Sequence, residues 1–191
     1  MPEKIDFEKL GINIPIVSAI VERFNEEANE TEILVQTRWQ PEFDKKYSGT
    51  LELQAGWMKS YENVYDAIRR EVHEETGLEV KSIKPEKHTQ VHSPSDDGAF
   101  VFETFCCVQQ IKNGQPWVGF VFVCEVKNGE PESCEDETRR VRWELRKTLR
   151  DTYEKNPENI FTLQLPILEK YFAEVDKLPP DKRHLPLNDF L

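Results

Sequence analysis

Residues 56–78 read Gly56-Trp-Met-Lys-Ser-Tyr-Glu62-Asn-Val-Tyr-Asp-Ala-Ile-Arg-Arg70-Glu71-Val72-His-Glu74-Glu75-Thr-Gly77-Leu78. A loop glycine leads into a helical pattern whose last turns carry Arg70, Glu71, Glu74 and Glu75, and Gly77 stops it. The three glutamates stand at i, i+3 and i+4, so their side chains lie on adjoining rows of one helix surface. Three acids crowded there repel one another unless something cationic joins them.

An acidic run on a helix is commonly a solvated face, but the helical wheel argues against that here. At about 100° per residue, Val64, Ile68 and Val72 form one stripe with Ala67 on its flank. Glu71 and Glu75 fall within that apolar stripe, Glu74 sits to one side over Arg70 at i−4, and His73 points to solvent. A helix that docks through Val64, Ile68 and Val72 therefore carries two carboxylates toward the protein body. Two carboxylates about 5 Å apart repel by roughly 3 kcal/mol at an effective dielectric of 20. Buried acids must be neutralised, paired or bound to a metal. Oxygen-only ligands favour a hard ion such as Mg²⁺ or Mn²⁺ over zinc.

The spacing G-x5-E-x7-R-E-V-x-E-E-x-G-L resembles the full signature of the Nudix (MutT-like) hydrolase family. The flanks resemble it too. Strand-like Ile14–Phe24 and Glu32–Trp39 precede the signature, and Thr50–Leu53 leads into its loop. Strand-like Phe100–Ile111, Trp117–Val126 and Arg140–Glu144 follow, then a helix near Leu163–Asp176. The resemblance implies an α/β fold, an α/β/α sandwich with a mixed sheet and the signature as loop-helix-loop, over about residues 12–176 of a single domain.

The resemblance further implies that Glu71, Glu74 and Glu75 are metal-binding carboxylates and that Arg70 orients them. Glu62, the first glutamate of the signature, is a structural or accessory group on the same grounds. A backbone carbonyl at Ala55 or Gly56 joins the metal shell. The chain departs from the family just before the signature, with Gln54-Ala55-Gly56 where Pro-Gly-Gly is frequent. If Ala55 supplies the carbonyl, its loop must accept a side chain where glycine is usual.

The implied activity is Mg²⁺- or Mn²⁺-dependent cleavage of the diphosphate bond in a nucleoside diphosphate linked to another group. Pro94, sixteen residues beyond Leu78, leans toward an ADP-ribose or nucleotide-sugar substrate. The alternatives are a nucleoside triphosphate pyrophosphatase and a nucleotide-sensing module that does not cleave. The general base is a helix glutamate or an acid such as Glu135 or Glu137 of the 135–137 loop, which otherwise reads as a solvated turn. Arg38 is a phosphate contact or a surface salt bridge. Phe100, Phe102 and Trp117 are base-stacking or core residues.

With 191 residues, the chain is long enough for one substantial core. Its formal net charge of −11 and lack of a basic stretch speak against nucleic acid or an anionic membrane as the main partner. Cys106, Cys107, Cys124 and Cys134 form no CxxC pattern and read as buried free thiols in a reducing compartment. With no h-region and no apolar run of transmembrane length, the sequence reads as cytoplasmic. The family resemblance adds a possible homodimer. The tail 178–191, with three prolines, reads as packed on the surface, as reaching a partner subunit, or as disordered.

Overall fold

A short helix, α1 (Phe7–Leu10), precedes β1 (Ile14–Asn25), whose residues from Val17 to Val21 are apolar on both parities apart from Ser18. Such a run suits a strand covered on both faces. A tight turn leads into β2 (Glu30–Arg38), and after a loop come β3 (Leu51–Glu52), β4 (Gln54–Trp57) and α2 (Val64–Thr76). The chain continues through β5 (Val80–Lys84), β6 (His88–His92), β7 (Gly98–Phe102), β8 (Cys106–Gln109), β9 (Trp117–Val126) and β10 (Thr138–Leu145). It then forms α3 (Arg146–Lys155) and α4 (Leu165–Lys177). The computed structural model describes residues 7–42, 45–86, 88–92, 98–133 and 138–191.

The main sheet runs β10-β2-β1-β9-β5, with β3 paired to β2, β4 to β1 and β8 to β9. β1 and β9 are parallel and the other pairs antiparallel, which makes the sheet mixed. Alternating side chains sort the core into two layers. Val17, Ala19, Val21, Leu34 and Phe122 meet α2 through Ala67, Ile68 and Val72. Ile20, Ile33, Val35, Val121 and Val123 meet Leu149 of α3 and Leu168, Tyr171 and Phe172 of α4. The expected α/β/α sandwich is the architecture observed.

Two expectations need correction. The apolar run 100–111 is not one strand: β7 pairs with β6 in a separate two-stranded sheet, and β8 joins the main sheet. The break falls at residues 103–105, where the Phe105 N–H already bonds to Val121 O at 2.9 Å. Cys107 is exposed and Cys106 half-buried, so of the described cysteines only Cys124 is a buried thiol. Cys134 lies outside the described residues.

The tail 178–191 is ordered against the body. It forms two 3₁₀ turns, Pro180–Lys182 and Leu187–Phe190, and buries Leu187 and Asn188. The N–H groups of Leu187 and Asn188 donate to the buried Glu22 carboxylate at 3.1 and 2.9 Å. Tyr171 Oη also bonds Glu22, and Arg146 lies 3.9 Å from it. No helix among the described residues is long and apolar enough to cross a membrane.

Candidate active site

Local signals fix both ends of α2. The Asn63 side chain accepts from the N–H groups of Tyr65 and Asp66, each at 3.0 Å, and so caps the helix start. Gly77 stops it at φ 70°, where its N–H donates to His73 O at 2.9 Å and a Cβ would be strained. The helix docks through Val64, Ala67, Ile68 and Val72. Glu71 is carried inward, with its side chain 12% exposed, whereas Glu74 stays half in solvent at 52%. His73 is exposed, as the wheel requires.

Arg70 ties the segment together. Its Nε and Nη2 fork onto Glu62 at 2.7 and 2.8 Å, and Nη1 bonds both Glu71 and Glu74, the latter at 2.9 Å. Nη2 also reaches Trp57 O at 3.0 Å, linking helix to loop. The Arg70 hydrogen bonds pull the Glu62 pKa down to about 2, and Glu62 in turn raises that of Arg70. Glu62 is thus the buttress of Arg70.

Two acids of α2 meet the loop directly. The Glu71 carboxylate lies so close to Gly56 that a Cβ there would stand 2.0 Å from Oε2. Glu75 Oε2 accepts from Ala55 N–H at 3.2 Å. The position that cannot accept a side chain without moving Glu71 is therefore 56, and Ala55 and Gly56 both sit in β4. Burial raises the pKa of Glu71 despite Arg70. Burial raises Glu75 further, and the largest charge acting on it is that of Glu52.

Glu52 was not singled out from the sequence. It is 5% exposed, accepts from Arg38 Nη1 at 3.2 Å, and lies 3.5 Å from Gln36 Nε2. Its only sequence signal is an acid between two leucines, Leu51-Glu52-Leu53, in a run that alternates faces.

A cavity of about 550 Å³ opens beside Glu52 and Glu75 and is also lined by Ala55 and Gly56. Trp57, Trp117, Tyr47 and Phe161 supply aromatic walls, and Arg38 lines it as well. Arg38 is not a surface salt bridge: its pair with Glu52 is largely buried, and its guanidinium lies 4.7 Å from the Phe161 ring centre. Trp117 reaches the cavity, but Phe102 is not among its lining residues. Phe102 instead stacks on Phe100 at 6.1 Å and meets Phe120 edge-on at 5.2 Å, packed against the α2 core. Of the two readings open for Phe102, its packing is the core one rather than the substrate-binding one, and its strand belongs to the small sheet. Pro94, Glu135 and Glu137 lie outside the described residues.

Among the described residues, no three His, Cys, Asp or Glu side chains stand together as a ready ligand set, and Glu74 is turned to Arg70 and Lys59. The donor chemistry nevertheless fits a hard divalent cation. The available groups are carboxylate and carbonyl oxygens, two of the acids are desolvated, and Gly56 is shaped around one of them.

Three solved structures illustrate the likeness. A MutT/nudix family protein from Enterococcus faecalis aligns with a TM-score of 0.52 and 17% identity over 75% of this chain, which spans only 45% of that protein's length. The NUDIX domain of Shewanella oneidensis NrtR, solved with ADP ribose, gives 0.60 and 14% over 92% of this chain and 99% of its own. C. elegans Ap4A hydrolase gives 0.53 and 12% over 85% and 98%. At these identities the likeness concerns the fold. No curated protein matches the sequence significantly. The family model described as NUDIX domain matches residues 14–164, so the segment read from sequence and the site built around α2 lie within one matched unit: the chain belongs to the NUDIX family.

Proposed function

We propose that the protein is a metal-dependent hydrolase that cleaves the diphosphate bond of a nucleoside diphosphate linked to another group. The observation that carries this reading is the position of Glu75, with Glu52 and with Gly56 against which Glu71 rests, at the wall of a cavity that also holds Arg38 and four aromatic rings. A nucleotide needs such a mixture: flat apolar faces for a base, a cation for phosphate, and acids for the metal that neutralises it.

Glu71, Glu74 and Glu75, with a backbone carbonyl at Ala55 or Gly56, would hold Mg²⁺ or Mn²⁺. Bound there, such an ion offsets charge on the diphosphate oxygens and lowers the pKa of water. Arg70 keeps Glu71 and Glu74 aimed and is itself held by the Glu62 fork. Arg38, steered by Glu52 and Gln40, orients a phosphate at the cavity wall. The proton of the attacking water goes to a carboxylate, either one of the α2 acids or Glu135 or Glu137. The ADP ribose in the Shewanella oneidensis domain favours an ADP-ribose or nucleotide-sugar substrate.

A second reading, nucleotide sensing without cleavage, is favoured by one observation: Arg70 holds Glu71 and Glu74 in ion pairs rather than leaving them open. A screen of nucleoside diphosphate derivatives and triphosphates with Mg²⁺, with identification of the broken bond, tests both. Two monophosphate products from a nucleotide sugar are expected. Pyrophosphate release from a triphosphate overturns the substrate class, and tight binding without turnover establishes the sensor.

A further inference from the structure

Three sheet residues outside the 56–78 segment face α2 beside Glu75. Gln36 lies opposite Glu52 in the β2–β3 register, and Gln54 lies opposite Ala19 in β1–β4. Ala19 packs in the same cluster as Ala67, Ile68 and Val72 of α2, so Gln54 shares that face. Glu52 and Gln54 are two residues apart, with Leu53 turned into the opposite core. All three are buried, at 0% exposure for Gln36, 5% for Glu52 and 1% for Gln54. The Gln36 amide reaches Glu52 and also hydrogen-bonds Glu75, so one side chain touches both acids.

This well is polar where a sheet face beneath a helix is ordinarily apolar, and it is not satisfied. Both amide atoms of Gln54 and Oε1 of Gln36 lack a partner among the described residues. Arg38 occupies Glu52 Oε2, which leaves Oε1 on the Gln36 side. A water could bond the amides but would add no positive charge between Glu52 and Glu75. A cation answers both needs, because carboxylate and amide oxygens are each ligands for a hard divalent ion.

We propose that Glu52, Glu75, the side-chain oxygen of Gln54 and, with its amide turned over, the side-chain oxygen of Gln36 form a divalent-cation position on the sheet side of α2, additional to the ligands offered by Glu71 and Glu74. The inference rests on the reading of the α2 acids as a cation site and extends it to residues before the signature. Glu75 then belongs to both positions, and Glu52 couples the cation to the phosphate-orienting Arg38.

Calorimetric titration of Mn²⁺ into the EDTA-stripped full chain, with free Mn²⁺ followed by electron paramagnetic resonance, tests this without reference to turnover. Glu52→Gln and Gln54→Met are each expected to weaken one Mn²⁺ by roughly tenfold or more. Glu71→Gln is expected to weaken a different one. Gln54→Met keeps volume and net charge, so the test stands even if Glu52→Gln folds poorly. If both variants bind Mn²⁺ with the unaltered stoichiometry and affinity while Glu71→Gln does not, this position is overturned and the α2 site survives. If the unaltered chain binds no Mn²⁺, both fall.

Discussion

The carboxylate of Glu71 rests on the α-carbon of Gly56, so a methyl group at position 56 would stand 2.0 Å from Glu71 Oε2 and 2.1 Å from its Cδ. Gly56→Ala must therefore push Glu71 out of place. Misplacing a catalytic group by about 1 Å can cost on the order of a hundredfold in rate. We expect kcat to fall on that scale with a folded protein by circular dichroism. Ala55→Gly, one residue away, is the control and is expected to cost only about 0.5–1 kcal/mol of stability, the usual penalty for glycine in a strand.

Arg70 makes a planar fork to Glu62 while bonding Glu71 and Glu74. Lysine keeps the charge but has no fork, so it cannot serve all three acids at once. Arg70→Lys is expected to destabilise the protein by about 2 kcal/mol, the scale of a lost charge-assisted bond. Urea denaturation measures this, and a variant with unchanged stability would remove Arg70 as the organiser of the segment.

The Arg70–Glu62 pair also predicts an acid dependence. The folded-state pKa of Glu62 is depressed to about 2 by its hydrogen bonds to Arg70. Its contribution to stability is thus full above the ordinary carboxylate value and is lost as pH falls toward about 2. The stability difference between the unaltered chain and Glu62→Gln should shrink steadily on acidification below about pH 5. A difference independent of pH would mean that Glu62 acts by packing alone.

Glu75 should show the opposite sign. Its folded-state pKa is raised, first by burial and then by the charge of Glu52. The folded apoprotein binds more protons than the unfolded chain in the window above the ordinary carboxylate value, so ionising Glu75 costs stability as pH rises. In EDTA, Glu75→Gln should melt higher than the unaltered chain at about pH 8, with the gap closing toward pH 5. The same variant should lose activity on the order of a hundredfold or more if Glu75 holds the metal as proposed. Unaltered turnover would dismiss the metal role, and a lower apoprotein melting temperature would dismiss the strain.

Away from the cavity, Tyr171 donates to the buried Glu22, which also takes the N–H groups of Leu187 and Asn188. Tyr171→Phe removes one donor from a carboxylate that is 1% exposed. A buried acceptor left short costs about 1–3 kcal/mol. Chemical denaturation should register that loss, and protease nicking within 178–191 should become faster as the tail loosens. Unchanged nicking would mean that Leu187 packing alone holds the tail.

The segment 56–78 by itself determined α2, its stop at Gly77 and the direction of its acids. Helix periodicity and a left-handed glycine are local properties, carried by the segment itself. The apolar runs likewise determined β1 and β9, since strands buried on both faces need apolar residues at both parities. α3 stayed hidden because only Arg146 and Leu149 of its ten residues are buried, too few to draw a stripe. Phe102 and the split of the run 100–111 were also beyond sequence, because β-pairing chooses partners across the chain and apolar character does not say which sheet a strand joins. Glu52 is the clearest case. Its meaning lies in Gln36, Arg38, Gln54 and Glu75, four residues brought around it by strand register and helix docking, and register is a tertiary decision.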